Sequence, residues 1–352
     1  MRNERERLIG DDEIDLFELF GGLWKQKVVI ILTAVIVTAV AVAYALLATP
    51  IYEARVIVQP PTQNDIAQLN YGRGGNSGLN VFSVKDVYGV YLRNLQSESL
   101  RREFFRKVYL PSLPAEKRKG SQDALYNQFR DVLSLGVVSK DTPDRFFVTS
   151  SQPDPGQAAQ WVVHYVEMAG ERAKKEIIQD ARADALVKAD NLEQQVRAER
   201  ESARKQREDQ IAQLTEALRV ARSIGLERPP IISNNLSSEL SAGMDGSLTY
   251  MRGSKALEAE IENLRNRTSD DPFIAKLRQR QEAMAFYRML QVDPGVVQVY
   301  RQDGAIESPD RPVKPKKLII VVLGAILGLG LGTVIGFVRY FWVSRLRNGQ
   351  LG

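Results

Sequence analysis

The sequence predicts an α+β protein in which two transmembrane helices flank one large domain, itself a membrane-proximal α/β base carrying a very long, coiled-coil-like helical arm. Three observations predict it. Two stretches, Val28 to Ala48 and Leu318 to Val338, carry no charge. Between them the chain is rich in charge. A run from about Gln157 to Ile224 has no proline and a single glycine, Gly170.

The first apolar stretch, VVIILTAVIVTAVAVAYALLA, has the roughly 20 residues that a helix needs to cross a hydrocarbon core. Lys25 and Lys27 precede it and Thr49-Pro50 ends it. Ala41-Val42-Ala43 offers a cleavage site for a signal peptide. The apolar run continues past that site, however, and a long acidic lead-in precedes it, so a retained anchor is the expectation. The second stretch, LIIVVLGAILGLGLGTVIGFV, is equally long and is followed by Tyr340 and Trp342, a pattern that suits an aromatic interfacial belt. Lys25 and Lys27 before span one, against Arg55 alone behind it, place the N-terminus in the cytoplasm. The second span returns the C-terminus there, anchored by Arg339, Arg345 and Arg347. Arg311, Lys314, Lys316 and Lys317 lie on the outer side of that span and run against the bias.

Within the domain, Ile51 to Val58 reads as a strand ended by Pro60-Pro61. Residues 62–80 are rich in Asn, Gly and Gln and read as a mobile loop. Val84 to Tyr109 has helical spacing through Val87, Tyr91, Leu95, Phe104, Phe105 and Val108. Leu133 to Val138 and Arg145 to Ser150 read as strands. The long run then combines strong helix formers with an apolar seam through Trp161, Tyr165, Met168, Ala185, Ala189, Leu192, Val196, Ile211, Leu214 and Leu218. Between Val196 and Ile211 the seam lapses, leaving a solvated arm with favourable pairs at Glu193–Arg197 and Glu201–Lys205. Gly225 stops the helix and Pro229-Pro230 turns the chain. Residues 233–254 suit a distal tip. A returning pattern, Leu257, Ile261, Leu264, Ile274, Leu277, Met284 and Tyr287, is broken by Pro272 and is about half as long as the outgoing helix. A neighbouring copy of the same chain is therefore expected to cover the rest. Val296 to Tyr300 is expected to add a last basal strand.

The resulting domain plan is 1–27 cytoplasmic segment, 28–48 first span, 49–152 α/β base and 153–292 arm with its return helix. Residues 293–317 supply the last basal strand and a Pro-rich lead-in, 318–338 the second span and 339–352 a cytoplasmic tail.

The 352 residues hold 48 Lys and Arg, 43 Asp and Glu, no cysteine and one histidine, His164. This composition removes disulfides, thiolate chemistry and His-based catalytic pairs. A net charge of +5 with no long basic run gives a nucleic-acid role no support. Gly72, Gly74 and Gly75 lack the context of a phosphate loop. The abundant carboxylates sit at helix-surface spacing. No catalytic, cofactor or metal residues are expected, and the chain is expected not to be an enzyme.

Two constellations stand out. Gly324, Gly328, Gly332 and Gly336 recur every four residues and align as one smooth ridge for close helix packing. Pro309, Pro312 and Pro315 recur every three and favour an extended lead-in.

These features together resemble the chain-length determinant (Wzz) family of polysaccharide co-polymerases. Asp12-Glu13-Ile14-Asp15-Leu16 with Leu23-Trp24-Lys25 is similar to its cytoplasmic lead-in, Tyr52-Glu53-Ala54 to its entry into the base, and Arg145 to Ala159 to its strand-to-long-helix junction. The three prolines and the glycine-rich span are similar to its C-terminal motif. The resemblance implies a bacterial inner-membrane protein with both termini cytoplasmic and its bulk periplasmic. It implies a ring-like homo-oligomer that acts beside a membrane O-antigen polymerase and its lipid-linked glycan, and that sets modal polysaccharide length without catalysis or cofactor. Two other readings stay open: a transmembrane adaptor that activates a separate cytoplasmic tyrosine kinase for capsule export, and a periplasmic enzyme acting on glycan, which the missing catalytic set speaks against.

Overall fold

In the computed structural model, residues 26–230 and 248–348 are described, together with Gly21, Trp24 and Gly246, and side chains are described as far as Trp342. The expected architecture is borne out. Helices α1 (Lys27–Leu47) and α8 (Lys317–Asn348) are long and apolar enough to cross a membrane. Between them, among the described residues, lie four strands and six α-helices of seven residues or more, besides shorter turns of helix.

The strands are β1 (Tyr52–Gln59), β2 (Leu133–Ser139), β3 (Thr142–Gln152) and β4 (Arg301–Gln302). They form one antiparallel sheet in the order β2-β3-β1-β4. Alternation fixes its register: Ala54, Val56 and Val58 are buried on β1, and Val56 pairs with Val148, which is fully buried on β3. The last strand forms later than Val296 to Tyr300. Val297 and Val299 are buried instead, and Arg301 and Gln302 pair with Gln59 and Val58. The apolar side chains are thus taken into cores, and the polar pair that follows extends the sheet edge.

The chain divides into two compact units. The first holds the spans, the sheet, residues 91–172 and residues 299–352. Its helices are the end of α2 (Val84–Leu95), α3 (Glu98–Phe104), α4 (Gln122–Val132) and the start of α5 (Pro155–Ser223). Ser97 caps α3 by accepting from the Leu100 amide at 3.2 Å. After α3 a single π turn, Phe105–Tyr109, carries the chain on. The core of this unit is aromatic. Phe104 sits between Phe129, Trp161 and Tyr165, with centroids 6.0, 5.8 and 5.4 Å away, the last two edge-on. The Tyr165 hydroxyl donates to the Leu95 carbonyl at 2.9 Å.

Helix α5 has 69 residues, which at 1.5 Å per residue is about 100 Å. Its start and stop are written in the sequence. Asp154 accepts from the amides of Gly156 and Gln157 at 2.8 and 3.3 Å, and Pro155 takes the first helical position. At the far end Gly225 has φ +69°. The Leu226 amide reaches back to the Ala221 carbonyl at 2.9 Å, and the Gly225 amide to Arg222 at 3.1 Å. That is a Schellman closure, which only a residue free to enter the left-handed region makes without strain.

The second unit comprises residues 62–90 and 173–298. Helices α6 (Ser254–Asn266) and α7 (Leu277–Met289) return along α5. Leu257, Ile261 and Leu264 of α6 close a core with Leu214, Leu218 and Ala221. Tyr287 of α7 does so with Leu79, Ala185 and Ala189. The Asn/Gly-rich stretch expected as a mobile loop is laid down firmly. Arg73, its side chain only 3% exposed, donates to the carbonyls of Ala181 and Asn80 and to Asp184, at 2.7, 3.0 and 2.9 Å, with its guanidinium 4.6 Å from the Phe82 ring. Asn70 clasps both polar groups of the Phe82 backbone.

Candidate functional site: the paired spans and the braced helix

The four spaced glycines of α8 meet α1 of the same chain. A Cβ built at Gly324 would stand 2.5 Å from Ala41 Cβ. At Gly328 it would stand 2.8 Å from Ala34 Cα, and at Gly332 2.8 Å from the Ile30 carbonyl oxygen. Gly336 is looser, at 3.4 Å from an Ile30 side-chain carbon. At Gly328 and Gly332 the clash is with backbone, which cannot swing aside. Gly330, off the ridge, meets nothing within 4 Å. Apolar helices gain nothing hydrophobic by leaving lipid for each other, so close backbone approach of this kind is what holds them. Thr33 and Thr38 satisfy their hydroxyls on the carbonyls of Val29 and Ala34 in their own helix, at 2.8 and 2.7 Å. Beside the seam an open apolar groove of about 660 Å³ runs past Ile31, Val35, Val42 and Leu329.

The proline segment joins the two spans just outside their ends. The Ile51 amide donates to the Lys314 carbonyl at 3.0 Å, and the Val313 amide to the Ile51 carbonyl at 2.8 Å. Pro309 and Pro312 lie in the irregular run that leads to this clip, and Pro315 follows it directly. Of the lead-in motif, Trp24 is described, with the Lys27 ammonium 5.4 Å from its ring centroid. Asp15, Leu23 and Lys25 lie outside the described residues.

The charged middle of α5, where the seam lapses, is not bare. Arg200 forms a two-point pair with Asp271, at 2.9 and 2.7 Å. Arg207 bonds the Arg267 carbonyl at 3.0 Å and lies 3.4 Å from Asp270. Glu199 takes Arg280 at 3.0 Å. Glu193 takes both Arg197, as expected, and Arg288. The segment around Pro272 and α7 therefore brace α5 with ion pairs where it has no large apolar side chain to offer. The periodicity of α5 could not show this, because these partners lie 60 to 95 residues away.

Side-chain hydrogen bonds to their cationic partners hold the carboxyls of Glu103, Glu193 and Asp271 below their ordinary range. Burial pushes Tyr126 and Tyr300 up to about 12. A general acid needs the opposite shift for a carboxyl. Among the described residues no group of three or more His, Asp or Glu could hold a metal ion. His164 is exposed on α5, its ring 5.8 Å from that of Phe104.

The chain matches two family models at its ends. The chain length determinant protein model (Wzz) covers residues 12–108. A G-rich domain described on tyrosine kinases (GNVR) covers residues 276–341. A chain length determinant protein of Escherichia coli O111:H- is 26% identical over 92% of this chain and 92% of its own. Among solved structures, a full-length bacterial polysaccharide co-polymerase superposes with a TM-score of 0.68 at 22% identity, over 95% of this chain and 99% of that one. A Shigella flexneri lipopolysaccharide O-antigen chain-length regulator does so with 0.52 at 17%, over 74% and 99%. The resemblance carried by the sequence motifs is borne out in sequence and in fold.

Proposed function

We propose, for a chain that resembles the chain-length determinant proteins from end to end, that it regulates the modal length of O-antigen or a related surface polysaccharide as a non-catalytic partner of the membrane polymerase. The observation that carries this reading is coverage. The relatives and the full-length co-polymerase align over more than nine-tenths of this chain and of their own length, so the likeness is not confined to one shared domain. On this reading the chain sits in a bacterial inner membrane with both termini cytoplasmic, and the sheet and long helix stand in the periplasm.

Self-association is part of the proposal. Leu186, Val187 and Val220 are 38, 58 and 44% exposed on α5, separate patches of apolar surface that α6 and α7 leave uncovered, and self-association gives them a partner. Copies of the chain set side by side cover them. In the membrane, the groove beside the glycine seam offers apolar surface to a helix of the polymerase. The ring then holds polymerase and lipid-linked glycan together and biases when the growing chain is released.

The experiment is a lipopolysaccharide gel from the host with the gene deleted and then restored. Loss of a clustered band pattern on deletion, and its return on restoration, is the expected result. An unchanged pattern would move a second reading forward: an adaptor that activates a separate cytoplasmic tyrosine kinase for capsule export. The GNVR match is what favours that alternative. Its signature is loss of capsule and of kinase tyrosine phosphorylation in the same deletion strain.

A further inference from the structure

Four cations stand within seven residues at the entrance to α8: Arg311, Lys314, Lys316 and Lys317. All four are exposed. None of their side chains forms an ion pair or hydrogen bond among the described residues. The acids in the same stretch, Glu307 and Asp310, leave the segment with an excess of positive charge.

The cluster cannot drift from the membrane. Lys317 is the first residue of α8, and Lys314 is clipped to Ile51, which follows α1 after a short turn. The four cations are therefore held at the level where both helices leave the hydrocarbon core, whichever way the chain is oriented. Lipid phosphates occupy that level. On the orientation proposed above, the cluster also runs against the usual gathering of Lys and Arg on the cytoplasmic side. A counter-charge in the outer leaflet gives a physical reason for it to stand there.

We propose that Arg311, Lys314, Lys316 and Lys317 bind the phosphate or pyrophosphate of an anionic membrane lipid. Arginine offers a fork to phosphate oxygens and lysine a point charge. Such a cluster gains about fivefold in affinity for each cation near an anionic surface. Two lipids carry this chemistry in the setting described: an anionic phospholipid and the pyrophosphate-linked carrier of a glycan.

The test uses the full chain in detergent and counts lipid adducts by native mass spectrometry. The probes are phosphatidylcholine, phosphatidylglycerol and polyprenyl pyrophosphate. Both anionic lipids should bind at least tenfold more tightly than phosphatidylcholine. The combined R311Q, K314Q, K316Q and K317Q variant should lose that margin, and a K314R, K316R and K317R variant should keep it. A tenfold preference for polyprenyl pyrophosphate over phosphatidylglycerol identifies the glycan carrier as the occupant; equal binding identifies the phospholipid. Should the glutamine variant fail to fold, raising salt from about 50 mM to about 500 mM on the wild-type protein must release both anionic lipids. Equal binding of all three lipids, or unchanged binding in the glutamine variant or at high salt, overturns the proposal.

Discussion

The ring of Tyr300 fills the space that a side chain at Gly170 would need: a Cβ built there would stand 2.6 Å from Tyr300 Cε1. Tyr300 is in turn stacked on Tyr91, centroids 4.4 Å apart. Gly170, the one glycine of α5 beyond its first turn, is thus the point where a chain segment returning to the base crosses the helix.

Gly170→Ala should therefore destabilise the protein, although alanine is the better helix former by about 1 kcal/mol. Overpacking costs about 1–3 kcal/mol and should outweigh that gain. Thermal unfolding of the detergent-solubilised chain checks the sign. Adding Tyr300→Ala to Gly170→Ala should cost less than the two single changes summed, because the collision is gone.

Substitution in α8 should depend on face. Gly332→Leu puts a side chain against the Ile30 backbone and should shift or abolish the glycan length distribution. Gly330→Leu, two residues away and off the ridge, should leave it intact. An unchanged ladder with Gly328→Leu and Gly332→Leu combined would refute a role for the seam in length control.

The ion-pair brace gives a pH dependence. Asp271 and Glu193 have folded pKa values below their ordinary 3.8 and 4.5, chiefly through hydrogen bonds from Arg200 and Arg197. Their contribution is present above those ordinary values and is lost as pH falls through the folded ones. Amide hydrogen exchange in residues 267–280 should therefore rise, relative to the intrinsic rate, below about pH 4. Because the pairs are exposed, it should also rise at high salt. Arg200→Ala should produce the same opening at neutral pH.

In the base, Tyr165→Phe keeps the ring and removes only the hydroxyl that serves the Leu95 carbonyl. Leaving that buried acceptor without its donor should cost about 1–3 kcal/mol. Urea unfolding monitored by aromatic fluorescence measures it, with the slope unchanged if the core otherwise holds.

Much of this structure was legible because single segments declare themselves. Charge-free runs give the spans, alternation gives β1 and β3, and a proline-free run from Gly156 to Ile224 gives α5. What stayed hidden depends on partners far apart in the chain. The glycine spacing predicts a close approach but not that Ala34 and Ala41 receive it. Arg200 and Asp271 both look like solvent-facing charges until the turn at Pro272 brings them together. Val297 and Val299 have the alternation of a strand, yet burial claims them and the ladder passes to Arg301 and Gln302. Arg73 looks like one more loop cation, and only its carbonyl partner on α5 shows that it pins the loop down.

The clip between Ile51 and Lys314 makes everything from β1 to β4 a closed excursion that leaves and rejoins the chain at one point. A loop whose ends are already fastened tolerates insertion at little entropic cost. Whole helical turns can then be gained or lost in the excursion while the footing beside the membrane keeps its dimensions, so evolution can change the reach of such a chain without redesigning its anchor.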